Sequence, residues 1–72
     1  MDFGMALNHI RIGAKVRRYG WNGPNLYIGL FKPDSDSDMT KPYLYIASTV
    51  DHDRVPWAPS QTDVLSVDWT LV

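Results

Sequence analysis

The chain has 72 residues, no cysteine and a formal net charge of −1. A domain of this length hides only about 60% of the surface its unfolded chain exposes, and without cysteine neither disulfides nor thiolate-held zinc can reinforce it. Self-association is the expected supplement and a reducing compartment the expected setting, while the charge disfavours a protein built to coat duplex nucleic acid through its phosphates. The charge is also unevenly placed. Residues 1–32 carry Arg11, Lys15, Arg17, Arg18 and Lys32 against Asp2 alone, and the remainder carries seven aspartates against Lys41 and Arg54. One end can therefore face an anion. No apolar run approaches the roughly 20 residues of a membrane span, and no charged stretch followed by an apolar one opens the chain, so no membrane partner is expected and the cytoplasm is the expected location.

In chain order, Asp2 precedes Phe3, Ala6, Leu7 and Ile10 at helical spacing, and Gly13 stands where a left-handed residue ends a helix, which predicts a helix over 3–12. Lys15 to Tyr19 alternates polar and apolar residues with Val16 inward and reads as a strand, broken by the turn formers Gly20-Trp21-Asn22-Gly23-Pro24-Asn25. Leu26 to Phe31 reads as a second strand covered on both faces, with Gly29 permitting close approach or a bulge. A polar loop follows over Lys32–Pro42. Tyr43 to Val50 is the third strand, and Asp51-His52-Asp53-Arg54 opens an irregular stretch that runs on into Val55-Pro56-Trp57-Ala58-Pro59. Ser60-Gln61-Thr62-Asp63 has the form of a capping box and predicts a short helix over 60–66. Asp68 to Val72 alternates again and forms the last strand. The whole is one domain, 1–72, of α+β class: an N-terminal helix packed on a small, mostly antiparallel sheet of about four strands, with a short helix before the last strand.

The residues that carry chemistry in enzymes are badly placed here. A hydroxyl nucleophile would need His9 or His52 as base, and His9 lies in the first helix while His52 sits between two aspartates in a solvated loop. Asp34, Asp36 and Asp38 mimic the opening of a calcium loop, yet Met39 replaces the glycine of the sixth position and Tyr45 the closing glutamate of the twelfth, so no metal site is expected. Gly20-x-x-Gly23 lacks the spacing of a nucleotide phosphate loop. A non-catalytic binding protein without a cofactor is the reading these absences favour.

Three tryptophans then need places. Trp69 alternates with Val67 and Leu71 and reads as core. Trp21 and Trp57 stand among turn formers, where each is either a hydrophobic lid or a platform on which a base stacks, at about 1–3 kcal/mol per base. Asn22, Gln61, Thr62 and Asp63 would add directional polar contacts. The amides near Thr62 and Asp63 suit a phosphate or ribose hydroxyl, with Arg17 and Arg18 offsetting the opposing Asp63 carboxylate.

Three segments carry a family resemblance. The opening Asp2-Phe3-Gly4-x-Ala6-Leu7, the turn Gly20-Trp21-Asn22-Gly23 and the closing Trp57-x-x-Ser60-Gln61-Thr62-Asp63-x-Leu65-x-x-Asp68-Trp69 resemble a family of small phage proteins that antagonise Thoeris immunity. The resemblance spans nearly the whole chain and is weakest between Phe31 and Val55, where this chain is short and acidic. It implies a sponge that captures the cyclic ADP-ribose signal of a TIR-domain enzyme and holds it intact in the cytoplasm of the infected bacterial host, so that the effector is never switched on. It further implies a homotetramer with pockets between subunits. The matching positions are Trp21 and Asn22 in the turn, Trp57 with Ser60, Gln61, Thr62 and Asp63 after it, and Phe3 near the N-terminus. If neighbouring subunits close on one nucleotide, Trp21 and Trp57 need not meet within a single chain.

A nanomolar sponge needs about −12 kcal/mol, more than two stacking contacts supply, so polar contacts and a preorganised, partly buried pocket are required. The alternative reading is a phage inhibitor that blocks a host protein through an aromatic surface. A single-strand nucleic-acid module is opposed by the acidic second half, and an enzyme that degrades the signal by the missing acid–base set.

Overall fold

The computed structural model describes residues 1–21, 23 and 25–72, and its elements run α1 (Phe3–Arg11), β1 (Val16–Arg18), β2 (Leu26–Phe31), β3 (Tyr43–Ser48), β4 (Arg54–Pro56), α2 (Gln61–Leu65) and β5 (Trp69–Leu71). Helix α1 begins where the Asp2 side chain accepts the Met5 amide at 2.8 Å. It ends at Gly13, whose φ of 99° turns the chain into the left-handed region. There the Gly13 amide donates to the Ile10 carbonyl and the Ala14 amide to the His9 carbonyl, both at 3.0 Å, the paired bonds of a Schellman ending.

The five strands form one antiparallel sheet in the order β4-β3-β2-β1-β5. The first four follow one another as a meander, and α2 carries the chain across to place β5 beside β1. Strand β4 extends the sheet beyond the four strands read from sequence. Its registers, Tyr45 with Pro56 and Ile46 with Val55, and the Trp57 amide donating to the Leu44 carbonyl at 2.9 Å, put Pro56 where its ring nitrogen faces away from β3. Proline is tolerated at that position of an edge strand because no ladder bond is lost. Pro56, expected in an irregular stretch, thus sits inside a strand.

Alternation in the sheet separates two faces. One receives α1, and its core is Ala6, Ile10, Val16, Ile28 and Trp69, all essentially buried. Burial of Ile10, Val16 and Ile28 contributes about 1.5–3 kcal/mol each before entropy is counted. Phe3, Trp21, Leu44, Ile46 and Trp57 pack around this nucleus half-buried. Among the described residues no helix lies over the other face, which is covered by its own side chains. Tyr45 lies across Gly29, so close that a Cβ built on the glycine would stand 2.5 Å from the phenol oxygen. The Arg54 guanidinium sits 4.9 Å above the Tyr45 ring, and Lys15 lies 5.9 Å from the ring of Tyr27. Gly29 therefore serves close side-chain approach, and Tyr45 is buried with no second layer above it.

The acidic loop closes on itself, with Asp34 accepting the Asp36 amide and the Ser37 hydroxyl. Among the described residues no cluster is arranged to hold a metal ion, and no helix is long and apolar enough to cross a membrane.

Candidate functional site

Of the sequence-predicted residues, Phe3, Trp21 and Trp57 converge on one end of the helix-covered face. Phe3 arrives on the first turn of α1, Trp21 on the turn after β1, and Trp57 on the residue after β4, its backbone held by the ladder bond to Leu44. All three surround the buried Trp69. Ring centroids lie 5.3 Å apart for Phe3 and Trp69, 5.4 Å for Trp21 and Trp69, 6.0 Å for Trp57 and Trp69, and 6.4 Å for Trp21 and Trp57. The three tryptophan pairs meet edge to face, at 72–77°, the arrangement ring quadrupoles favour. Trp21 and Trp57 therefore meet within one chain, with no neighbouring subunit needed to bring them together. Trp69, read as simple core, is the hub on which the half-buried rings are mounted.

The Ser60–Asp63 segment has the reciprocal bonds its sequence predicts. Ser60 Oγ accepts the Asp63 amide at 3.1 Å, and Asp63 Oδ2 accepts the Ser60 amide at 3.2 Å. The Asp63 amide expected to be open to a phosphate or ribose hydroxyl is thus taken by Ser60. Asp63 does more than cap. Its Oδ1 accepts from Arg18 Nη1 at 3.0 Å and from the Trp21 indole at 3.4 Å, and its backbone carbonyl accepts the Trp69 indole at 2.9 Å. Gln61 and Thr62 remain exposed on α2. Asn22 lies outside the described residues.

Arg18 also binds Asp68, Nε to Oδ1 at 2.9 Å, and the second Asp68 oxygen accepts the Gly20 amide at 2.9 Å. Burial pushes the Asp63 carboxyl up, but hydrogen bonds from Arg18, Ser60 and Trp21 together outweigh it and hold the group below the ordinary carboxylate value. At Asp68 the Arg18 hydrogen bond dominates, against a smaller upward push from burial, and the Gly20 amide adds to it. Both groups are carboxylates at neutral pH. Arg17 does not join this network. It pairs with Thr70 across β1 and β5 while Arg18 pairs with Trp69, so the two neighbouring arginines leave opposite faces of the sheet. Among the described residues Arg18 alone offsets Asp63, and the expected contribution of Arg17 is corrected. Arg17 Nε is buried without a hydrogen-bond partner among the described residues.

Among the described residues of this region, the titratable Arg18, Asp63 and Asp68 are joined in ion pairs. His52 stands in the β3–β4 turn with a left-handed φ of 63°. What the site offers is a wall of aromatic edges and faces beside fixed dipoles, suited to stacking a planar ligand. Three concavities lie away from this wall. One around Ser37, Asp38 and Met39 holds ≈ 250 Å³, one around Leu26, Ile46 and Asp53 ≈ 170 Å³, and one lined by Phe31, Tyr43, Tyr45, Arg54, Val55 and Pro56 only ≈ 40 Å³, against roughly 300–1,000 Å³ for a pocket that encloses a small molecule. The chemistry favours the aromatic wall over that cavity, since at the cavity Arg54 already covers the Tyr45 ring.

A family model described as the Thoeris anti-defense 2-like domain matches residues 1–72. The chain is also 37% identical over 84 residues to the protein named Thoeris anti-defense 2 of Bacillus phage SP01, an alignment covering 100% of this chain and 94% of that relative.

Proposed function

Because this chain belongs to the Thoeris anti-defense 2-like family, we propose that it is a phage anti-Thoeris protein that sequesters a TIR-derived cyclic ADP-ribose isomer in the host cytoplasm without degrading it. The observation that carries the reading is the cluster of Phe3, Trp21 and Trp57 on Trp69. Large rings held half-buried at fixed angles pass little ordering cost to a ligand that stacks on them, and lowering that cost is how a small site reaches high affinity. Phe3, Trp21 and Trp57 form the stacking wall. Asn22, Gln61 and Thr62 supply directional polar contacts to ribose and phosphate. Ser60 and Asp63 contribute mainly by holding the wall.

One chain of this size presents the wall but only part of an enclosure. A homo-oligomer, with a tetramer favoured, closes the site between subunits and shelters exposed apolar side chains such as Leu65 and Val67, which are 78% and 75% accessible. No step in this function requires a bond to be broken. The chain's titratable groups near the wall, Arg18, Asp63 and Asp68, are held in ion pairs instead of being set up for proton transfer.

The test is thermal unfolding in the presence of cyclic ADP-ribose isomers, followed by denaturation of the complex and analysis of the released small molecule. The melting temperature should rise, and the ligand should be recovered intact. A cleaved product would convert the reading to an enzyme, and no shift with any isomer would move it to an inhibitor acting through protein contacts.

A further inference from the structure

The Arg18 guanidinium joins parts of the chain that are far apart in sequence. Asp63 is the third residue of α2, Asp68 immediately precedes β5, and Arg18 ends β1. The side chains are 18%, 14% and 33% accessible for Arg18, Asp63 and Asp68, so the bridge is shielded without being sealed. Each carboxylate then reaches a second target. Asp68 holds the Gly20 amide, and Asp63 holds the Ser60 amide and the Trp21 indole. The Trp21 amide in turn donates to the Arg18 carbonyl at 3.2 Å. One planar cation thereby ties the turn carrying Trp21 to the helix that follows Trp57.

We propose that Arg18 is the positioning residue of the aromatic wall, fixing the Trp21 indole against α2 before any ligand arrives. The inference rests on the reading of that wall as the ligand site. Arg18 acts through its neighbours, because the Nε and Nη1 groups that would grip a phosphate are already committed to Asp68 and Asp63. Lysine cannot replace it, since a single ammonium lacks the fork that spans two carboxylates with fixed geometry. The Trp21–Asp63 contact, at 3.4 Å, is the longest bond of the network and the joint most sensitive to Arg18. Room at the turn is limited in the same way: a Cβ on Gly20 would stand 2.9 Å from Asp68 Oδ2.

Indole N–H resonances of the free, uniformly ¹⁵N-labelled protein report this directly, because each tryptophan gives its own signal. In Arg18→Lys the Trp21 resonance should shift or broaden, while the Trp69 resonance, fixed by a backbone carbonyl, stays near its wild-type position. Capture of cyclic ADP-ribose by calorimetry should weaken by roughly tenfold as preorganisation is lost. Asp68→Asn, which weakens the same bridge and leaves Arg18 in place, should move both readouts in the same direction, and it carries the test should Arg18→Lys fail to fold. A wild-type Trp21 resonance and wild-type affinity in these variants would overturn the proposal. So would a loss of affinity with the Trp21 resonance unmoved, which would make Arg18 a direct ligand contact. If the wild-type protein captures no cyclic ADP-ribose, the ligand reading fails by itself, and the Trp21 resonance still decides whether Arg18 positions the indole.

Discussion

Trp57→Ala and Trp69→Ala separate a binding indole from a structural one. Trp69 is 2% accessible and its indole N–H is bonded to the part-buried Asp63 carbonyl, so truncation opens a cavity and leaves that carbonyl with the longer bond from the Ser66 amide. Removal of a buried large aromatic costs about 3–5 kcal/mol. A chain of this length has a total stability of roughly 4–11 kcal/mol. Trp69→Ala should therefore lose from about a quarter to all of that stability. Trp57 is half-buried, and its backbone bond to Leu44 survives any side-chain change, so its truncation should cost about 2 kcal/mol and leave a folded protein. Urea unfolding followed by intrinsic fluorescence and far-UV circular dichroism measures both. In the folded Trp57→Ala variant, loss of one stacking contact of about 1–3 kcal/mol should weaken ligand capture by about 5- to 150-fold. If Trp57→Ala destabilises the protein as much as Trp69→Ala, the indole is core and the argument for a stacking wall fails.

Two further outcomes follow from packing and charge. Gly29→Ala should destabilise the fold by about 1–3 kcal/mol, because Tyr45 must leave its place across the sheet; a calorimetric melting temperature equal to that of the parent would contradict the close approach. The folded-state values of Asp63 and Asp68 lie below the ordinary 3.8. Their contribution to stability is therefore fully present above that value and is lost as pH falls through it toward the folded-state values. Melting temperature should drop below about pH 4, and the double variant Asp63→Asn/Asp68→Asn should flatten that drop; an unchanged acid limb would show that other carboxylates control it.

What was legible in the sequence is local. Asp2 and Gly13 bracket α1 because a cap acceptor and a residue free to take positive φ are requirements of a few neighbouring residues. The bounds of β2 coincide with the alternating run Leu26 to Phe31, and the capping box of α2 is written in four consecutive residues. Strand β4 escaped because Pro56 signals a break unless its partner strand is known. The meeting of Phe3, Trp21, Trp57 and Trp69 escaped for a related reason: it depends on β5 returning beside β1, a pairing of residues about fifty positions apart. The same distance hid the bridge from Arg18 to Asp63 and Asp68. Strand alternation alone, applied to the neighbouring Arg17 and Arg18, would have sent one of them to the opposite face.

The borders of the sheet bear on how copies of the chain can meet. On β4 one of the two outward positions is held by Pro56, which has no amide to offer. On β5 the outward groups of Trp69 are already taken by Met1, whose nitrogen donates to the Trp69 carbonyl at 2.8 Å and whose carbonyl accepts the Trp69 amide at 3.1 Å. A neighbour arriving at either margin finds the hydrogen-bonding ladder blunted there, so growth into a continuous ribbon of chains is obstructed. Broad surfaces, with their side chains, are left to carry association, and contacts of that kind can close around a symmetry axis instead of propagating.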